Sequence, residues 1–244
     1  MRGAVSDNKP ELDPSKVNEL RLRLSSILNA DRWVPGAFPA VAPTCIKETS
    51  KLLRGYSGSV MVVGSGSSFP GEFNPGRDTL ILLTNRLKEQ LDISEKDQTL
   101  TVSSGWEVPH VNSKLREAGF YVPSLSGLDK GTIGGRLALI TSRPVLDRGD
   151  GWIQSLLGLI VVLPSGDVVE LGGRCIKDVA GYDMRHFFTG SRGTVGVIVK
   201  SVFRCRPLVD KDSSSDFQDY AQTGSYDPQW KRVFDPFSRM KPGS

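Results

Sequence analysis

Residues 172–202 read GGRCIKDVAGYDMRHFFTGSRGTVGVIVKSV, six glycines in thirty-one residues ending in an apolar, β-branched strand. Glycine is placed where φ must be positive or where something must lie against the main chain. A strand so rich in valine and isoleucine belongs to a core. The stretch therefore asks for bare backbone held rigidly, which a surface linker does not. Two further segments share this character: VVGSGSS at 62–68 and KGTIGGRLA at 130–138. Taken singly, each reads equally as a turn, the second as a tight turn entering a helix. A strand ending in a glycine/serine loop also turns successive N–H groups and hydroxyls into one concavity that suits a diphosphate. Three such segments in one chain point to a large anionic ligand with a planar part.

The totals limit what that ligand is. The chain has 244 residues, enough for one large domain, with 38% hydrophobic and 24% charged residues and a net charge of +4. No three basic residues are consecutive, so a small anion suits the charge better than nucleic acid does. Cys45, Cys175 and Cys205 form no C-x-x-C pair and read as reduced, buried cysteines. The N-terminus has no apolar signal-peptide core and no eighteen consecutive apolar residues occur, so a cytoplasmic chain without a membrane span is expected.

Along the chain, Val17, Leu20, Leu24, Ile27 and Leu28 form a helical stripe, with Asp13 as cap and Pro14 at the first helical position. TCIKETSKLLRG predicts a helix capped by Thr44 and stopped by Gly55. SVMVV, TLILL, EQLDIS and QTLTVSS predict strands, EVPHVNSKLREAG a helix ending on Gly119, and LGLIVVLPSGDVVELGG a hairpin. YDMRHFF predicts a short helix before the strand GVIVKSVFRCRPL. Val209 to Asp227 is polar and reads as a linker; QWKRVFDPFSRMKPG restores apolar character. Strands with interspersed helices predict an α+β protein.

Familiar catalytic sets are missing. The dinucleotide fingerprint lacks its third glycine, where Phe69 stands, and no Walker lysine follows the loop. His110 and His186 are the only histidines, with no H-E-x-x-H, so no metal site is expected. No G-x-S-x-G elbow occurs. Lys177, Asp178, Tyr182, Asp183 and Arg185 form a charged cluster that reads as a solvated loop or a substrate contact. Catalytic residues stay unassigned; Arg185 and His186 are the remaining candidates.

The glycine/serine loop, TLILLTNRLKEQLDISEKDQTLTVSSG, GTIGGRLA, the run from LLGLIVV to GVIV, and FRCRPL follow in the order seen in the vanillyl-alcohol oxidase/p-cresol methylhydroxylase (PCMH-type) FAD-binding family. GGRCIKDVAGYDMRHFFTGSRGTVGVI resembles most the FAD-binding E subunit of bacterial glycolate oxidase. The resemblance implies a PCMH-type domain of two α+β subdomains over residues 40–207, with FAD extended between them. It leaves 1–39 as an N-terminal helical extension and 208–244 as a polar linker and short C-terminal segment. The family's cap domain would follow Leu208, so that cap is expected to be largely missing.

By position, Gly64, Ser65, Gly66, Ser67 and Ser68 resemble the pyrophosphate loop. Pro123 and Ser124 look like the segment beside the flavin. Thr132, Ile133, Gly134, Gly135 and Ala138 resemble the lining near the isoalloxazine and ribitol, and Ser142 and Arg148 further polar contacts. Gly193, Gly196, Val197 and Ile198 look like the adenosine end. Two departures stand out. The loop begins Val63-Gly64-Ser65-Gly66 where Arg-Gly-Gly-Gly is frequent, and Ser67 replaces a histidine that bonds the flavin in some members, so FAD is expected to be non-covalent. The implied function is oxidation of a small 2-hydroxy acid by hydride transfer to FAD, alongside a second flavoprotein subunit and an iron–sulfur subunit. The alternative is a non-catalytic FAD-holding scaffold or assembly subunit.

Overall fold

The computed structural model describes residues 14–36, 38–67, 75, 79–126, 128–139, 155–172, 184–208, 231 and 233–242. The protein is α+β. Its strands are β1 (Trp33–Val34), β2 (Ala40–Val41), β3 (Ser59–Val63), β4 (Thr79–Leu83), β5 (Leu91–Ser94), β6 (Thr99–Ser103), β7 (Phe120–Tyr121), β8 (Leu156–Val162), β9 (Val168–Gly172), β10 (Val197–Arg204), β11 (Arg206–Pro207) and β12 (Met240–Lys241). The α-helices are α1 (Pro14–Leu24), α2 (Ile46–Gly55), α3 (Val108–Glu117), α4 (Ile133–Leu139) and α5 (Arg185–Phe188).

Two five-stranded sheets organise these elements. The first has the order β1-β2-β4-β3-β12, and in it β4 runs parallel to β2 and to β3 while β12 runs parallel to β3. The second, β5-β6-β10-β8-β9, is antiparallel throughout. Trp33 pairs with Val41 and Val34 with Ala40, so the residues on either side of position 39 share one hairpin. The C-terminal segment likewise returns to the first sheet, where Met240 pairs with Val60.

β10 shows why the glycine run ends in so apolar a strand. Val197 and Val199 are buried among Leu52, Leu53, Val60, Leu80 and Leu82, on the first sheet's side. Ile198 and Phe203 are buried among Leu100, Val111, Leu115, Ile133 and Leu137, under α3 and α4. Side chains alternate across a strand, so a strand between two cores must be apolar on both faces. β8 follows the same rule, with Val161 in one cluster and Val162 in the other. Fully burying one such side chain contributes about 1.5–3 kcal/mol.

α1 ends at Leu24, so Ile27 and Leu28 of the expected stripe lie in the turn beyond the helix; Leu24 and Leu28 are nonetheless buried, and Leu20 and Ile27 pack against the same cluster. Asp13 lies outside the described residues. α2 departs in detail. Its cap is Cys45, whose Sγ accepts the Glu48 N–H at 3.4 Å, not Thr44. Thr44 instead donates its N–H to Glu48 Oε2 at 2.8 Å, so the capping carboxylate reaches back one residue further. Gly119 closes α3 at φ 79°, as expected for a left-handed stop.

Candidate functional site

β3 and β4 are parallel and end side by side at Val63 and Leu83, where the Thr84 N–H donates to Val63 O at 2.9 Å. Beyond that point the chain passes into the glycine/serine loop. Gly66 there has φ 75°, and the Ser65 and Ser67 hydroxyls lie 3.2 Å apart. Facing the loop is the entrance of α4. Thr132 Oγ1 accepts the Gly135 N–H at 3.2 Å and so caps the helix. The entrance is fixed to the second sheet's side, since the Ile133 N–H donates to Trp106 O and the Gly134 N–H to Ser104 O, both at 2.9 Å. A third wall comes from residues 190–198. The Gly190 N–H donates to Leu137 O at 2.9 Å and the Arg192 N–H to Ala138 O at 2.8 Å, docking this loop on the end of α4.

Between these walls lies a cleft with about 690 Å³ of empty space, part of it open to solvent. Gly64, Ser65, Gly66, Ser67, Thr132, Gly134, Gly135, Ala138, Gly193, Gly196 and Ile198 line it, so segments far apart in sequence meet there. Four of the expected residues do not line it. Pro123, Ser124, Ile133 and Val197 are buried, the last two as core side chains. Ser68, Ser142 and Arg148 lie outside the described residues. Sequence reasoning missed Thr84, Gly131, Arg136, Leu139, Ser191 and Arg192, which also line the cleft. Gly131, Arg136, Ser191 and Arg192 stand inside or beside the glycine segments, and that proximity was the available signal.

The glycines matter for a different reason from the one the sequence suggested. A Cβ at Gly64 would lie 2.5 Å from Thr132 Oγ1, and one at Gly134 would lie 2.7 Å from Ser104 Cβ. At Gly193 it would meet Val62 Cβ at 3.0 Å, and at Gly196 Val161 Cγ1 at 2.9 Å. In each case the missing side chain makes room for another part of the protein. The glycines bring the walls together, and the main chain lines the cleft as a result.

Arg185 was a candidate for holding substrate, but its Nη1 donates to the carbonyls of Leu156 and Leu157, the latter at 2.8 Å, and so ties α5 to β8. Lys177, Asp178, Tyr182, Asp183 and the His186 side chain lie outside the described residues. His110 is exposed and stacks on Trp106, ring centroids 4.9 Å apart. Among the described residues no group of three or more His, Cys, Asp or Glu is placed to hold a metal. Nor is any helix there long and apolar enough to cross a membrane.

Two arginines, 136 and 192, line the cleft, and no aspartate or glutamate does so among the described residues. Bare backbone, paired serine hydroxyls and two arginines fit a dianionic diphosphate carrying flat groups. The FAD binding domain family matches residues 40–172, more than half of the chain. The chain belongs to that family. FAD is therefore its cofactor, and the chemistry of the cleft agrees with that ligand.

This FAD-binding chain is 31% identical over 177 residues to D-2-hydroxyglutarate dehydrogenase of Xanthomonas citri pv. viticola, covering 71% of the chain and 38% of that protein. It is 31% identical over 180 residues to glycolate oxidase subunit GlcD of Bacillus subtilis, covering 68% and 36% respectively. To mitochondrial D-lactate dehydrogenase [cytochrome] 1 of Saccharomyces cerevisiae it is 27% identical over 212 residues, 82% of the chain and 35% of that protein. The match thus spans little more than a third of each relative. Among solved structures, alkyldihydroxyacetonephosphate synthase superposes with a TM-score of 0.63 at 20% identity, over 83% of this chain and 42% of that one, a likeness of fold.

Proposed function

We propose that the chain is the FAD-holding part of a 2-hydroxy-acid dehydrogenase or oxidase of the glycolate type, working with a second flavoprotein subunit and an iron–sulfur subunit. The cleft carries this reading: a cradle with positive charge and no carboxylate among its described residues, in a chain similar to proteins named for D-2-hydroxyglutarate, glycolate and D-lactate. When bound, FAD supplies the acceptor for the hydride that leaves the substrate's hydroxyl-bearing carbon.

The chain's own residues bind and orient. Gly64 to Ser67 offer N–H groups and hydroxyls to the diphosphate. Thr132, Gly134, Gly135 and Ala138 line the ribitol and ring, and Gly193, Gly196 and Ile198 enclose the adenosine. The Ser124 hydroxyl is buried without a hydrogen-bond partner among the described residues, a donor kept for something outside them. Ser67, standing where some members of the family carry a histidine bonded to the flavin, supports non-covalent attachment.

Oxidising a 2-hydroxy acid also needs a base for the hydroxyl proton, within hydrogen-bond reach of it. No His, Asp, Glu, Lys or Tyr lines the cleft among the described residues, and Arg185 is engaged in the fold. This favours a second reading, in which the chain holds FAD and its partners complete the substrate site. Anaerobic mixing of the FAD-loaded chain with glycolate, D-lactate or D-2-hydroxyglutarate separates the two. The flavin should bleach slowly with the chain alone and fast once the partner subunits are added. Fast bleaching of the lone chain would remove the scaffold reading, and no bleaching with any partner would remove the dehydrogenase reading.

A further inference from the structure

Arg192 has φ 53°, a conformation that glycine or asparagine adopts at lower cost. The loop around it is fixed on several sides. The Arg192 N–H is held by Ala138 O at 2.8 Å, and Thr194 returns its N–H to Ser191 O at 3.0 Å. Lys231 Nζ donates to Thr194 O at 3.0 Å, so the C-terminal segment buttresses the same loop. Residue 192 is thus set firmly in the cleft wall, although backbone geometry alone does not call for arginine there.

Its neighbour Gly193 abuts Val62 of β3, the strand that runs into Gly64–Ser67. The Arg192 guanidinium makes no hydrogen bond or ion pair with a described residue. Arg136, the other cation of the cleft, donates its Nε to Lys130 O at 3.0 Å. A guanidinium is always charged and presents donors in a fork that matches phosphate oxygens. Arg192 lines the same cleft as the glycine/serine loop, and no carboxylate lines it among the described residues, so the guanidinium complements a diphosphate.

We propose that Arg192 is the counter-charge of the cofactor's diphosphate and makes the cleft select a dinucleotide over an uncharged nucleoside. This rests on the reading that FAD occupies the cleft. The test is titration of the apo-chain with FAD, with ADP and with adenosine, at low and high salt, for the wild type, Arg192→Asn and Arg192→Lys. Asparagine accepts the left-handed backbone and removes the charge; lysine keeps the charge and loses the fork. The wild type should prefer ADP to adenosine, with affinity falling as salt rises. Arg192→Asn should lose roughly 10- to 100-fold in FAD and ADP affinity, the scale of a charge-assisted bond. Its affinity for adenosine and its melting temperature should not fall, and Arg192→Lys should recover part of the loss. Arg192→Asn binding ADP as tightly as the wild type would overturn the proposal, and so would an equal loss for ADP and adenosine. A wild-type chain that takes up no FAD would instead overturn the proposed function, and this assignment with it.

Discussion

Gly64 and Thr132 occupy each other's space: a Cβ on Gly64 would sit 2.5 Å from Thr132 Oγ1, the atom that caps α4 through the Gly135 N–H. One contact therefore sets both the start of the helix and the gap between two walls of the cleft. Gly64→Ala should destabilise the fold by about 1–3 kcal/mol, from overpacking and a disturbed cap. It should weaken FAD binding as well. In a Thr132→Ala background the same change should cost less, because the clashing oxygen is gone. A double-mutant cycle followed by urea denaturation measures the coupling, and strict additivity would show that the two residues do not constrain each other.

The C-terminal segment is held through one buried carboxylate. Asp235 is 1% exposed and accepts from Lys231 Nζ at 2.9 Å, the Arg239 N–H at 2.9 Å and the Met240 N–H at 2.8 Å. Asp235→Ala should cost about 3 kcal/mol, near the lower end for a broken buried pair because Lys231 is 22% exposed. Since Lys231 also supports Thr194 O, FAD affinity should fall together with the melting temperature. A variant with unchanged stability would mean the segment does not brace the domain.

Glu48 carries the acid sensitivity of α2. Hydrogen bonds from Arg32, Nε to Oε2 at 2.9 Å and Nη2 to Oε1 at 3.0 Å, hold its carboxyl below the usual carboxylate range, aided by Thr44 and opposed by partial burial. A lowered folded pKa gives stability that is present above the unfolded value, about 4.3, and lost as pH falls through the folded one. Glu48→Gln should therefore melt lower than the wild type at pH 7, with the difference closing on acidification. Melting curves across the acid range check this, and a constant difference would assign the effect to shape rather than charge.

Cys205 and Cys45 should differ sharply in reactivity. Burial pushes the Cys205 thiol up to about 12, whereas Cys45 is half-buried at the start of α2. Iodoacetamide at pH 8 should label Cys45 in the native chain and Cys205 only after unfolding, read by peptide mass spectrometry. The raised value also means stability declines as pH climbs from the unfolded thiol range towards 12. Native labelling of Cys205 would contradict its place in the core.

The legible part of this fold was local. Apolar runs announced β3, β4, β6 and β10, the Pro-Ser-Gly-Asp turn announced the β8–β9 hairpin, and Gly119 announced the end of α3. Pairing was not legible, because hydrophobic spacing does not say that Met240 lies beside Val60, 180 residues away in sequence. The glycine segments pointed to the cleft, yet glycine reports a close approach without naming what approaches. At Gly134 it is Ser104. Arg192 escaped notice because a left-handed arginine leaves no trace in composition or spacing. Arg185 looked available because its carbonyl partners, Leu156 and Leu157, are distant in the chain.

The central claim is that FAD lies in the cleft formed by the glycine/serine loop, the entrance of α4 and residues 191–198. Hydrogen–deuterium exchange of the apo-chain against the FAD-saturated chain tests it directly. FAD should slow exchange at 64–67, 131–139 and 191–198, with little change in β5 or β9 at the edges of the second sheet. Saturation with FAD that leaves these three segments unprotected, or protects others in their place, would contradict it.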